Sequence, residues 1–174
     1  MNNYDSLKDK YTPIIEKLLA ENEKFYQFPG KTEWRFVQNK DRAIIAYCDK
    51  YLVININIVA IEYMEEVKQP LILEYYILHE IRHKYQRMCV RNNEPIPPVG
   101  KWRYEFENYV NMNQSIDAYY SQSIEFDAFA FSYAVMLYKY GKIDYINPPE
   151  RLKADKLFNF SVQKYFEHFR KNRY

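Results

Sequence analysis

The chain of 174 residues is 48% apolar and 28% charged, a balance that suits one folded domain, here taken as residues 1–174, and excludes disorder, collagen-like repeats and a coiled coil. With 25 basic and 23 acidic residues its net charge is +2, which lacks the basic footprint of a nucleic-acid-binding protein. No stretch approaches the roughly 20 apolar residues of a membrane span, and the start of the chain has no apolar signal core, so a cytoplasmic protein without membrane partners is expected.

Apolar residues at Leu7, Tyr11, Ile14, Ile15, Leu18 and Leu19 recur at helical spacing, which predicts a first helix over about 6–25, with Pro13 marking a late start or a kink. "FPGK" breaks it. Strand-like runs follow at 33–37 and 42–49. In "YLVININIVAIEYM", Ile54, Ile56 and Ile58 alternate with Asn55 and Asn57, the period of a strand with one polar face. Pro70 opens a helix expected to run to about Met88. The proline-rich segment 89–100 reads as a surface loop and a candidate lid. A short helix is expected over 101–113. A long helix capped near Ser115 should then end near Gly141, and a final helix should cover about 152–169. The core of the domain is placed at about 31–141. Cys48 and Cys89 lack the spacing of a structural zinc site and read as free thiols. The 19 tyrosines and 11 phenylalanines are read first as core filling, with a polypeptide groove or base stacking as the other uses of so many rings.

Two of the three histidines fall in "HEIRH". On a helix turning about 100° per residue, His83 lies about 40° from His79 and one turn further on, so both imidazoles face one way and can share a metal ion. Glu80 lies about 100° away, on the flank of that face, where it can reach water at the metal without being a ligand. Ile77, Ile81 and Tyr85 form a core stripe on the opposite side.

A catalytic zinc site usually takes three protein ligands and keeps a fourth position for water. The third ligand is sought in "SIEFDAFAFSYAVM", an apolar helix with two acidic residues. Glu125 shares its face with Ala128, Phe129, Ser132 and Met136, where small residues permit close helix approach, and is preferred. Asp127 points about 160° away and is assigned to capping, to pairing with an arginine or to orienting a histidine. Cys89 occupies the place where one class of zinc peptidase has a third histidine. His168, in the terminal helix, is the fallback.

With HEIRH followed by a glutamate on a later helix, the sequence resembles the zincin metallopeptidases of the gluzincin type. "EFDAFAF" is similar to the E-x-x-A-x-x-F pattern of ImmA/IrrE-like peptidases, with Glu125, Ala128 and Phe131 in the matching places. Phe129 stands where such families often carry Asn or Asp. The resemblance spans residues 42–140 in layout and about a dozen positions by motif. It implies an α+β fold: a small, mainly antiparallel sheet, a HExxH active-site helix, a second ligand-bearing helix and further helices at both termini. It also implies that the strand at 52–58 is a sheet edge that binds extended substrate.

The expected activity is therefore zinc-dependent hydrolysis of peptide bonds in a peptide or protein substrate. One Zn2+ is held by His79, His83 and Glu125, with Glu80 as general base toward a metal-activated water. Tyr104, Tyr109, Tyr119 and Tyr120 are all eligible as oxyanion donors. The competing expectation is an inactive zincin-fold protein that binds a partner or holds a structural zinc.

Overall fold

A computed structural model describes residues 3–172. Within them the chain forms eight helices and one three-stranded sheet, an α+β fold. It divides into two compact units, up to Ile81 and from Arg82, with the dividing point inside one helix.

In the first unit, helix α1 (Asn3–Tyr26) buries Tyr11, Ile15, Leu18 and Leu19. Pro13 lies inside this helix, so it does not mark a late start. Strands β1 (Trp34–Val37), β2 (Ala46–Cys48) and β3 (Ile54–Asn57) form a sheet in the order β1-β3-β2. The sheet is mixed rather than mainly antiparallel: β3 pairs antiparallel with β2 and parallel with β1. The β2–β3 connection is a tight turn in which Asp49 accepts the N–H groups of Tyr51 (2.9 Å) and Val53 (3.1 Å). Antiparallel pairing follows from that turn. β1 occupies β3's other side in the same direction.

The central position of β3 overturns the expectation that residues 52–58 form a sheet edge; β2 and β1 are the edges. All four residues of β3 are buried. Ile54 and Ile56 pack into the core with Ile61, Leu73, Ile77 and Ile81. On the other face Asn57 is buried among loop backbone: its amide donates to the carbonyls of Asn39 (3.1 Å), Asp41 (3.1 Å) and Ile44 (2.9 Å), and its oxygen accepts from Asn39 N–H (3.0 Å). The same oxygen accepts from Val59 N–H at 3.2 Å and caps α2 (Ile58–Glu66), so the strand ends at Asn57 and Ile58 begins a helix.

Helix α3 (Leu71–Arg91) runs through the division between the units and three residues past the expected end at Met88. In the second unit, α4 (Val99–Glu107) starts inside the segment expected to be loop. Ser115 caps only the short α5 (Ile116–Ser121), through Ala118 N–H at 3.2 Å. Gln122 is extended, with ψ 130, and breaks the expected long helix before α6 (Ser123–Tyr140). Gly141, at φ 70, closes α6 by donating its N–H to Leu137 C=O at 2.9 Å, in a backbone region that residues with a Cβ adopt at a cost. The terminal helix is likewise divided into α7 (Glu150–Lys153) and α8 (Lys156–Asn172), because Asp155 caps the second piece through the N–H groups of Leu157 (2.7 Å) and Phe158 (3.0 Å). Phe131, Phe158 and Phe169 are fully buried, and Phe131 meets Phe169 edge-on at 5.6 Å. Phe129, Phe131, Phe158 and Phe169 thus fill this unit's interior, whereas its described tyrosines are partly buried or exposed, so core filling accounts for only some of the rings. No helix of the described residues is long and apolar enough to cross a membrane.

Candidate metal centre

Helix α3 carries His79 and His83 on one face, and both are buried, at 3% and 8% exposure. Glu125, in the first turn of α6, is 1% exposed. Each of the three offers one ligand atom, and these atoms lie within 4.8 Å of one another, a buried group that could hold a metal ion. The three ligand residues expected from the sequence are thus brought together.

Nε2 of His83 stands 3.2 Å from Oε1 of Glu125. Two donors at 2.0–2.1 Å from a tetrahedral zinc ion lie about 3.3 Å apart, so this pair has the spacing of ligands that share one ion. Two nitrogens and a carboxylate oxygen suit zinc and similar transition metals better than magnesium or calcium, which take oxygen ligands.

Glu125 is placed by the break before α6. Gln122 is pinned to the backbone of Val110, accepting its N–H at 2.9 Å and donating to its C=O at 2.9 Å, and this starts the helix where Glu125 falls in its first turn. The carboxylate accepts two phenol hydroxyls, Tyr109 on Oε1 at 2.9 Å and Tyr119 on Oε2 at 2.6 Å. Such bonds compensate the burial of a charged group. Of the four tyrosines eligible as oxyanion donors, these two reach Glu125. Tyr104 is 65% exposed. Tyr120 packs against Phe129, its hydroxyl pKa raised by burial and by the charge of Glu125.

His83 is held from behind. Its Nδ1 lies 2.9 Å from Oε1 of Gln86, whose Nε2 donates to Ile124 C=O at 3.0 Å and to Asp127 at 2.7 Å. Asp127 is not a member of the ligand group. It pairs with Arg82, Nε to Oδ2 at 2.8 Å, and accepts the hydroxyl of Tyr165. Burial would raise the Asp127 carboxyl, but the Arg82 charge and the bonds from Arg82, Tyr165 and Gln86 hold it below the usual carboxylate range. Of the three roles open for Asp127 in the sequence, arginine pairing and, through Gln86, support of a histidine describe it, and capping does not. Gln86 escaped the sequence reading, although it stands three residues after His83, on the adjacent turn of the same helix.

Glu80 is 6% exposed, and its Oε2 accepts the backbone N–H of Cys48, on edge strand β2, at 2.8 Å. His168 is exposed on α8 and outside the ligand group. Cys48 and Cys89 are buried and not joined in a disulfide, and burial pushes the Cys89 thiol up. Comparison with protein-family models, curated proteins and solved structures found no match to this chain.

Proposed function

We propose that the protein is a zinc-dependent peptidase in which His79, His83 and Glu125 hold one zinc ion and Glu80 is the general base. The observation that carries this reading is the buried group of two imidazoles and one carboxylate, its ligand atoms within 4.8 Å of one another. Three protein ligands are the usual complement of a catalytic zinc, whereas structural sites are closed by four.

A zinc ion held there supplies Lewis acidity, polarising a scissile carbonyl and making water a better nucleophile near neutral pH. The chain supplies the proton chemistry. Glu80 follows His79 directly and lies on the flank of the ligand face. The bond from Cys48 N–H orients its carboxylate, whose two oxygens offer about four lone-pair sites. Glu80 takes the water's proton and returns it to the leaving amine, a role worth about 10² to 10⁴ in rate. His79, His83 and Glu125 hold the metal, and the phenols of Tyr109 and Tyr119 fix the carboxylate.

The test is elemental analysis of the purified protein together with cleavage of a quenched fluorescent peptide library. Wild type should carry one zinc per chain and cleave. Glu80→Gln should keep the zinc and lose cleavage, and His79→Ala and Glu125→Ala should lose both. Retention of zinc at wild-type affinity by Glu125→Ala, with loss in Asp127→Ala, would refute the ligand assignment.

The engagement of Glu80 by Cys48 N–H favours a second reading, a catalytically silent zincin-fold protein whose zinc is structural. In that case Glu80→Gln changes no activity, because wild type cleaves nothing, while chelation lowers thermal stability.

A further inference from the structure

We infer that Gln86 is a positioning residue that fixes the proton of His83 on Nδ1 and thereby leaves Nε2 as the lone-pair atom turned toward Glu125. The consequence for metal binding rests on the proposed metal centre; the proton's position rests on the hydrogen bonds around Gln86.

A glutamine amide donates at one end and accepts at the other, and which end is which must be decided from its neighbours. Here the neighbours decide. One end of Gln86 faces Ile124 C=O at 3.0 Å and Oδ2 of Asp127 at 2.7 Å. A backbone carbonyl can only accept, and Asp127 is paired with Arg82 through Nε at 2.8 Å and Nη2 at 3.3 Å. Turning the amide over would set its oxygen against two acceptors in a place where Gln86 is fully buried and water cannot intervene. The NH2 group therefore faces Asp127 and Ile124, and Oε1 faces His83.

That oxygen lies 2.9 Å from Nδ1 of His83, so Nδ1 must carry a proton to bond to it. In a neutral imidazole the other nitrogen then bears the lone pair. With the ring neutral, Nε2 of His83 is an acceptor 3.2 Å from another acceptor, Oε1 of Glu125, an arrangement that a metal cation between them reconciles. The support reaches a third helix. Tyr165 of α8 donates to Asp127 and accepts from Arg82 Nη2 at 2.7 Å, so the carboxylate that orients Gln86 is itself fixed. Partners of this kind behind a ligating histidine typically account for 10- to 100-fold in metal affinity.

The experiment reads the proton directly. Long-range proton–nitrogen NMR spectra of the full-length 15N-labelled protein, as purified and after chelation, are assigned with a His83→Asn variant. The expected pattern for His83 is a protonated Nδ1 and an unprotonated Nε2. Gln86→Met, similar in length but unable to accept that bond, should populate the Nε2–H form. It should also lower zinc affinity 10- to 100-fold in competition with a chelator. A wild-type His83 protonated on Nε2 overturns the inference, and so does a Gln86→Met protein with an unchanged tautomer. If Gln86→Met does not fold, the wild-type spectrum decides alone. If wild type takes up no zinc yet shows the Nδ1–H pattern and Gln86→Met loses it, the inference stands and the metal centre falls. Equal zinc affinity and equal tautomer in both proteins give the reverse.

Discussion

Glu105 of α4 lies across the N-terminus of α6, Oε1 accepting the N–H of Ser123 at 2.9 Å and Oε2 the N–H of Ile124 at 3.0 Å. Oε2 also accepts the Ser123 hydroxyl at 2.7 Å. The first N–H groups of a helix have no partner within it, and a carboxylate there also meets the positive end of the helix dipole. The cap of α6 thus comes from a residue 18 positions upstream of Ser123. Glu105→Ala should cost about 1–2 kcal/mol, read as a lower urea midpoint with an unchanged slope. Because Glu125 stands in the turn that Glu105 caps, the variant should also release zinc at lower chelator concentration than wild type.

Tyr109 and Tyr119 divide the two oxygens of Glu125 between them. Each phenol holds the carboxylate in one orientation, so Tyr109→Phe or Tyr119→Phe should weaken zinc binding by roughly tenfold, and the double variant by more than either. Chelator competition measures this. Unchanged affinity in the double variant would show that packing alone positions Glu125.

Much of the site was legible because its signals are local. His79, Glu80 and His83 lie within five consecutive positions, and helical geometry alone decides how they face. Glu125 could be singled out because carboxylates are rare in an apolar helix. The partners behind the ligands are set by tertiary approach instead. Asp127 reaches His83 through Gln86, and Glu105 caps a helix whose start depends on Gln122 gripping Val110. No periodicity marks such relations. Alternation makes the strand at β3 visible but reads a hydrogen-bonded, buried Asn57 and a solvated one alike; the edge position expected for 52–58 rested on the resemblance alone, and nothing in the alternation opposes it.

Asn57 closes β3, caps α2 and gathers three carbonyls of the preceding loop. Asn57→Ala leaves those carbonyls without that donor and removes the cap. A loss of about 2–4 kcal/mol is expected, read by chemical unfolding. Asn57→Asp keeps the cap but opposes carbonyls with a carboxylate, so it should recover little of that stability.

Glu65 and Tyr11 tie α2 to α1 and should give the fold a pH dependence at both ends of the range. The hydrogen bonds from Lys10 and Tyr11, with the charge of Lys10, pull the Glu65 carboxyl below its usual value against the opposing effect of burial. Burial, the bond to Glu65 and the carboxylate's charge raise the Tyr11 hydroxyl. A lowered carboxyl means that the folded chain binds fewer protons than the unfolded one, so this contribution is complete above the unfolded value of about 4.3 and is lost as the pH falls through the folded value. A raised phenol works in the opposite sense: its contribution is complete below about pH 10 and is lost as the pH rises through the folded value. Tyr11→Phe removes the Tyr11 part of both effects. Because the Glu65 side chain is 32% exposed, water offsets part of the loss, and the cost at pH 7 should be no more than about 1 kcal/mol. Urea midpoints of wild type and Tyr11→Phe should therefore differ most between pH 6 and 9 and converge below pH 4. A difference that stayed constant from pH 3 to 7 would mean that Tyr11 stabilises the fold by packing rather than through Glu65.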